Sequence, residues 1–147
     1  MQMCWNFNVI NRCQGNVLME WRTEFSVGDD KFDNDHKIIF GLVDEFKRIL
    51  SESENAHEML EDSFDKLIDY IDEHFAREEV FMKKIGYPNI VEHHGKHAEM
   101  EDKMRALFTR YSEGDPTVSE ALGNFVEDWW YSHILKEDMK YREFAEG

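Results

Sequence analysis

Five histidines and one glutamate stand at positions where a packed helix would ordinarily carry Leu or Phe. His93 and His97 are four residues apart, the spacing that brings two imidazoles onto one helix face and toward a single ion. His74 and Glu78 repeat that spacing with a carboxylate in the second place, while His36 and His133 each share a stripe with apolar neighbours. A buried imidazole or carboxylate is costly unless it is paired, hydrogen-bonded or bound to a metal. The pattern therefore predicts a metal site. Nitrogen and carboxylate donors without thiolate suit iron, zinc, copper or nickel, and Cys4 and Cys13 lie far from the stripes. A structural zinc takes four ligands, so this donor set is too large for one ion; two ions sharing a carboxylate is the economical reading. The paired ExxH motifs of ferritin-like di-metal bundles are missing, since only Glu54 and His57 have that spacing. HExxH fails as well, because His94 occupies the place after His93 where the glutamate is needed.

Four helices are expected to position these donors. Ser51-Glu52-Ser53-Glu54-Asn55, Gly86-Tyr87-Pro88-Asn89 and Ser112-Glu113-Gly114-Asp115-Pro116-Thr117 divide the chain after about residue 33 into four segments. In the first, His36 shares a face with Ile39, Phe40, Val43, Phe46 and Leu50. The second runs Leu60, Phe64, Leu67, Ile71, His74, Glu78, Phe81, Ile85, and the third His93, His97, Met100, Met104, Leu107, Tyr111. The fourth reads Val118, Leu122, Phe125, Trp129, His133, with Tyr141 near its end. Asp33 or Asn34 is the expected cap of the first helix and Thr117 that of the fourth. Amphipathic helices with short joins pack antiparallel, which predicts an all-α, up-down-up-down four-helix bundle. His94 and His57 fall off the stripes and are expected at the surface.

Composition narrows the class of function. The 147 residues fit one domain, with 41% apolar residues for a core and 32 acids against 17 bases, a net charge of -15. Such a surface repels phosphate backbones and anionic lipid, so neither nucleic-acid nor membrane-surface binding is expected, and no apolar run approaches the roughly 18 residues needed for membrane insertion. The first residues lack the basic and apolar regions of a secretory signal, and two cysteines form neither a disulfide framework nor a CxxC pair. A cytoplasmic setting is the expectation.

Several tracts together resemble the hemerythrins, in particular the single-domain bacterial ones. They are Asp33-Asn34-Asp35-His36-Lys37, His74-Phe75-Ala76-Arg77-Glu78-Glu79, Tyr87-Pro88 leading to His93-His94-Gly95-Lys96-His97, and His133-Ile134-Leu135-Lys136-Glu137-Asp138. Glu20-Trp21 through Phe25-Ser26-Val27-Gly28 resembles the family's N-terminal arm. The resemblance runs from about Glu20 to Tyr141, giving a domain over 19–147; residues 1–18 fall outside it and are expected to be an extension or a disordered tail. It also nominates Asp138, which periodicity does not, because five residues beyond His133 is about 140° around an ideal helix.

What the resemblance implies is a non-haem di-iron centre with an oxo or hydroxo bridge. One iron would be held by His93, His97 and His133, the other by His36 and His74 with a coordination position open, and Glu78 and Asp138 would bridge them. Reversible dioxygen binding would follow, for carriage, storage or delivery to an oxygen-using enzyme, with a reductase as a further partner. The alternatives are an oxygen, nitric oxide or redox sensor working through a partner, or a di-iron oxidase or peroxidase; a histidine-rich site favours binding over catalysis. Ile39, Phe40, Phe75, Trp129, Trp130 and Ile134 are the expected walls of a dry oxygen pocket. Many relatives read Trp-Leu where this chain reads Trp129-Trp130, so the larger Trp130 ring is expected to alter oxygen release or autoxidation.

Overall fold

A computed structural model describes residues 18–52 and 57–147, apart from the His57 side chain. The expectations placed on Cys4, Cys13, Glu54 and the His57 side chain, and all but the last residue of the 1–18 leader, lie outside the described residues. Four helical rods form the bundle. These are α1 (Asp30–Ser51), α2 (His57–Ile85), α3 (Ile90–Ser112) and a fourth rod in which α4 (Ser119–His133) continues through a wide π-helical turn (Ile134–Asp138) into α5 (Met139–Glu146). Each rod packs on its neighbours in sequence, and α4 returns to α1 to close the ring. Among the described residues no strand is present, and no helix is long and apolar enough to cross a membrane.

Local chemistry sets the ends of the rods. The cap of α1 lies four residues before the expected Asp33: it is Asp29, accepting from the backbone N–H of Lys31 at 2.8 Å and Phe32 at 3.2 Å. Asp33 instead lies inside the first turn and turns back to the arm, accepting from Ser26 Oγ at 2.5 Å and Val27 N at 2.8 Å. Asn34 likewise sits within α1. Thr117 does not cap the fourth rod either. It lies in a short 3-10 turn (Pro116–Val118), where Asp115 accepts from its backbone N–H. At the other ends α2 and α3 finish alike. Gly86 (φ 71°) and Gly114 (φ 94°) take the left-handed conformation, with Tyr87 N–H donating to Met82 O and Asp115 N–H to Arg110 O.

The N-terminal arm lies along α1 and α4. Met19 N–H donates to the Asp44 carboxylate, Phe25 packs on Phe40 and Tyr131 at 5.7 and 5.4 Å, and Arg142 Nη1 donates to Ser26 O at 2.6 Å. Inside the bundle two apolar clusters lie at different levels. The larger holds Phe46, Leu60, Phe64, Leu67, Ile71, Met100, Met104 and Leu122, with Phe64 stacked on Phe108 at 3.8 Å. The smaller holds Val27, Phe32, Met82, Tyr87 and Tyr141. On every rod the predicted donors fall between the two clusters, so they form a polar layer closed above and below by hydrocarbon.

The inward face of α4 differs from the expected stripe. Leu122, Val126 and Trp130 point to the core, and Phe125 and Trp129 take its flank. With two adjacent tryptophans the period fits either choice, and Trp130 is the one turned in between His36 of α1 and His74 of α2.

Candidate metal centre

Seven side chains meet in the polar layer, and all seven are buried: His36, His74, Glu78, His93, His97, His133 and Asp138. Their donor atoms fall into two groups. His36, His74, Glu78 and Asp138 form one; His93, His97, His133, Glu78 and Asp138 form the other. Glu78 and Asp138 belong to both.

In the first group His36 Nε2 lies 3.1 Å from His74 Nε2 and 3.3 Å from Asp138 Oδ2, and His74 Nε2 lies 2.7 Å from Glu78 Oε1. In the second, His97 Nε2 lies 3.1 Å from His133 Nε2, and Asp138 Oδ1 is 2.9 Å from His133 Nε2 and 3.2 Å from His93 Nε2. His97 Nε2 and Glu78 Oε1 are 3.8 Å apart. Donors about 2.1 Å from one ion and at right angles to each other are about 3 Å apart, so these spacings suit cis ligands of a first-row metal.

Orientation agrees with distance. Both oxygens of Glu78, both of Asp138 and His93 Nε2 are buried without a hydrogen-bond partner, although imidazoles stand at contact distance. Atoms that come so close without aligning on one another converge on shared points. This is the arrangement in which a cation satisfies groups that would otherwise be orphaned at high cost.

Asp138 reaches this layer because of the π-helical turn. Met139 N–H bonds back to Ile134 O, five residues away, and the wider turn brings Asp138 round to the face of His133.

The electrostatics follow from the crowding. Burial pushes Asp138 up, but His133, His36 and His93 outweigh it and hold the carboxyl well below its usual range. Burial and Asp138 push Glu78 up, and His74 and His97 bring it below its ordinary value. Both carboxylates therefore stay ionised at neutral pH. Desolvation opposes charge on His74, yet Glu78 and Asp35 raise it to about 9. His97, where burial wins over Glu78, is lowered to about 3.

Outer contacts orient the rings. His74 Nδ1 donates to Asp35 Oδ2 at 3.0 Å, and the same carboxylate accepts from Arg77 Nε and Tyr70 Oη, each at 2.9 Å. His97 Nδ1 donates to Glu79 Oε1 at 3.2 Å. Phe75 stacks on the His97 ring at 3.6 Å and Trp129 on His133 at 4.2 Å.

Comparison with known proteins agrees with this centre. The model of the "Hemerythrin HHE cation binding domain" matches residues 27–145. The chain belongs to the hemerythrin family. It is similar to the bacteriohemerythrin of Clostridium acetobutylicum, 30% identical over 84% of this chain and 98% of the relative. The bacteriohemerythrin of Methylococcus capsulatus is 30% identical over 85% of this chain and 95% of that protein. The myohemerythrin of Theromyzon tessulatum shares 30% identity over 84% of this chain. Among solved structures, a wild-type hemerythrin superposes with a TM-score of 0.78 at 30% identity, covering 89% of this chain and all of the other. These structural neighbours and the four rods make the chain an all-α hemerythrin bundle.

Within this hemerythrin, the structure brings together all seven residues singled out by spacing or by resemblance. His94 is exposed and lies 2.8 Å from Glu79. Of the expected pocket residues, Ile39, Trp130 and Ile134 are fully buried and Phe75 nearly so. Trp129 is partly buried, and the ring neighbours of Phe40 are Trp21, Phe25 and Tyr131, beneath the arm. The outer partners Asp35, Arg77 and Glu79 appear in the sequence only as members of the resembling tracts, with no role of their own, and Tyr70 is not singled out there at all. A signal existed for Asp35, an acid four residues before Ile39 on an otherwise apolar stripe; none marked Glu79 beyond its place beside Glu78.

Proposed function

We propose that this chain binds two iron ions, and through them dioxygen, reversibly. His93, His97 and His133 hold one ion, His36 and His74 the other, and Glu78 and Asp138 bridge the two. The observation that carries this reading is the pair of donor groups sharing both carboxylates, with five donors on one side and four on the other. The smaller set leaves room for an exogenous ligand beside His36 and His74. When bound, an iron pair would supply the two electrons that dioxygen takes up, and an oxygen ligand shared by the irons would supply the accompanying proton.

The chain's own residues do the rest. Asp35 and Glu79 accept the outer N–H of His74 and His97, fixing the tautomer that leaves Nε2 free to coordinate. Phe75, Trp130, Ile39 and Ile134 exclude water from the layer, which favours release of the ligand as it came over its loss as a reduced product. The use we favour is carriage, storage or delivery to an oxygen-consuming enzyme in the cytoplasm, where a reducing environment maintains ferrous iron. Binding, not catalysis, is the activity this histidine-rich layer supports best.

The test is anaerobic reduction of iron-loaded protein, followed by air and then by deoxygenation, with visible absorption recorded and iron counted on one sample. Two irons per chain and a colour that comes with air and leaves without it are expected. Two irons that oxidise once and recover only with a reductant transfer the function to redox sensing or oxidase chemistry. A chain that takes up no iron overturns the proposal.

A further inference from the structure

Among the described residues, the buried side-chain polar atoms without a partner fall almost entirely in the metal layer. His36, Glu78, His93 and Asp138 account for all but two, Trp130 Nε1 and Tyr141 Oη. Tyr141 Oη has the shared Glu78 carboxylate beside it. The Tyr141 ring is 5.7 Å from His93, in the three-histidine group. The Trp130 ring is fully buried and lies 5.8 Å from His74 and 6.2 Å from His36, nearer to these than to His133 at 6.5 Å. Its other ring neighbours, Phe75 at 5.7 Å and Trp129 at 5.1 Å, offer no conventional acceptor.

An indole N–H only donates, so its partner must be an acceptor. The imidazoles beside it offer no acceptor: His74 donates from Nδ1 to Asp35, and with the Nε2 atoms of His74 and His36 at the shared donor point, the unpartnered His36 Nδ1 carries the ring proton. An N–H kept dry and unpaired at the four-donor side is a preformed half of a hydrogen bond. Resting on the two-iron reading above, we propose that Trp130 Nε1–H donates to an exogenous ligand seated beside His36 and His74, making Trp130 a specificity-determining residue. It selects small anions that carry an acceptor atom outward from the metal over neutral ligands that accept poorly.

Azide and nitric oxide are the probes, titrated against iron-loaded wild type and Trp130→Phe, which keeps an aromatic ring and removes the N–H. Azide affinity is expected to fall roughly tenfold or more in the variant, the loss of about one charge-assisted hydrogen bond, while nitric oxide affinity changes by less than about threefold. In wild type, the ultraviolet Raman marker of indole hydrogen bonding is expected to shift on azide addition and to be silent in the variant. This measurement stands on wild type alone should Trp130→Phe fold poorly. Equal losses for both probes, or an indole marker in wild type that ignores azide, overturn the proposal and leave the two-iron centre intact. Wild type that binds iron but no azide also overturns it. A chain that loads no iron overturns the underlying reading and this inference with it.

Discussion

The histidines on the two sides of the metal layer are alike in burial and differ in what stands behind them. Behind His74 is a closed, charge-balanced set: Asp35 accepts three hydrogen bonds, one from the Arg77 guanidinium, and its side chain is only 10% exposed. Burial alone would raise the Asp35 carboxyl, yet His74, Arg77 and Tyr70 hold it well below its usual range. Behind His97 is Glu79, 29% exposed and divided between His97 and the surface His94. Further out on that side Glu101 and Asp72 crowd like charges together. On the four-donor side, which the two-iron proposal leaves open to an exogenous ligand, His74 is thus the more firmly backed histidine, while His36 Nδ1 has no partner. A centre with one position free needs its remaining ligands held in place, whereas a side with five donors holds itself.

Removing a donor common to both sides abolishes the contrast. Asp138→Ala takes an oxygen from each group and is expected to reduce bound iron from about two per chain to well below one, read by metal analysis after gel filtration. His74→Ala breaks one side only. About one iron per chain should remain, with no colour change on exposure to air; retention of two irons and the oxygen response would break the assignment.

The backing residues sharpen the contrast. Asp35→Ala is expected to weaken iron on the two-histidine side by about 10–100-fold in competition with a chelator. Glu79→Ala should cost less than about tenfold, since water can replace a partly exposed acceptor. Equal losses would remove the distinction drawn between the two sides.

The smallest effect is expected at Glu101. Burial and the Asp72 carboxylate raise this acid from 4.5 to about 7. The folded chain therefore binds the proton more readily than the unfolded one, and stability falls as pH rises between those values. Glu101→Gln should raise the melting temperature at pH 8 and change it little near pH 4.5, as measured by thermal unfolding of iron-loaded protein at both pH values.

Much of this layer was legible before any coordinates. His36, His74, Glu78, His93, His97 and His133 sit on apolar stripes, and a stripe records which residues a regular helix turns inward. Asp138 was legible only through resemblance, because regular periodicity sends it elsewhere and the π-helical turn corrects the aim. The choice between Trp129 and Trp130 was misjudged for a related reason: adjacent apolar residues leave the stripe's centre undetermined by about one position. The caps failed differently. Asp29, Asp33 and Asn34 are all competent caps in isolation, and only the arm, offering Ser26 Oγ and Val27 N–H, draws Asp33 away from that role.

The amino-acid order by itself determined that the chain is helical, that it has four rods, and that imidazoles and a carboxylate lie on their inward faces. These are local properties, fixed by side-chain period and by glycines that break the rods. Tertiary structure decided the division of seven donors into two groups, the sharing of Glu78 and Asp138, and the backing of His74 by Asp35, Tyr70 and Arg77. Those depend on the rotation and height of each rod against the next, which follow from packing across the bundle and leave no mark in the period of any single helix.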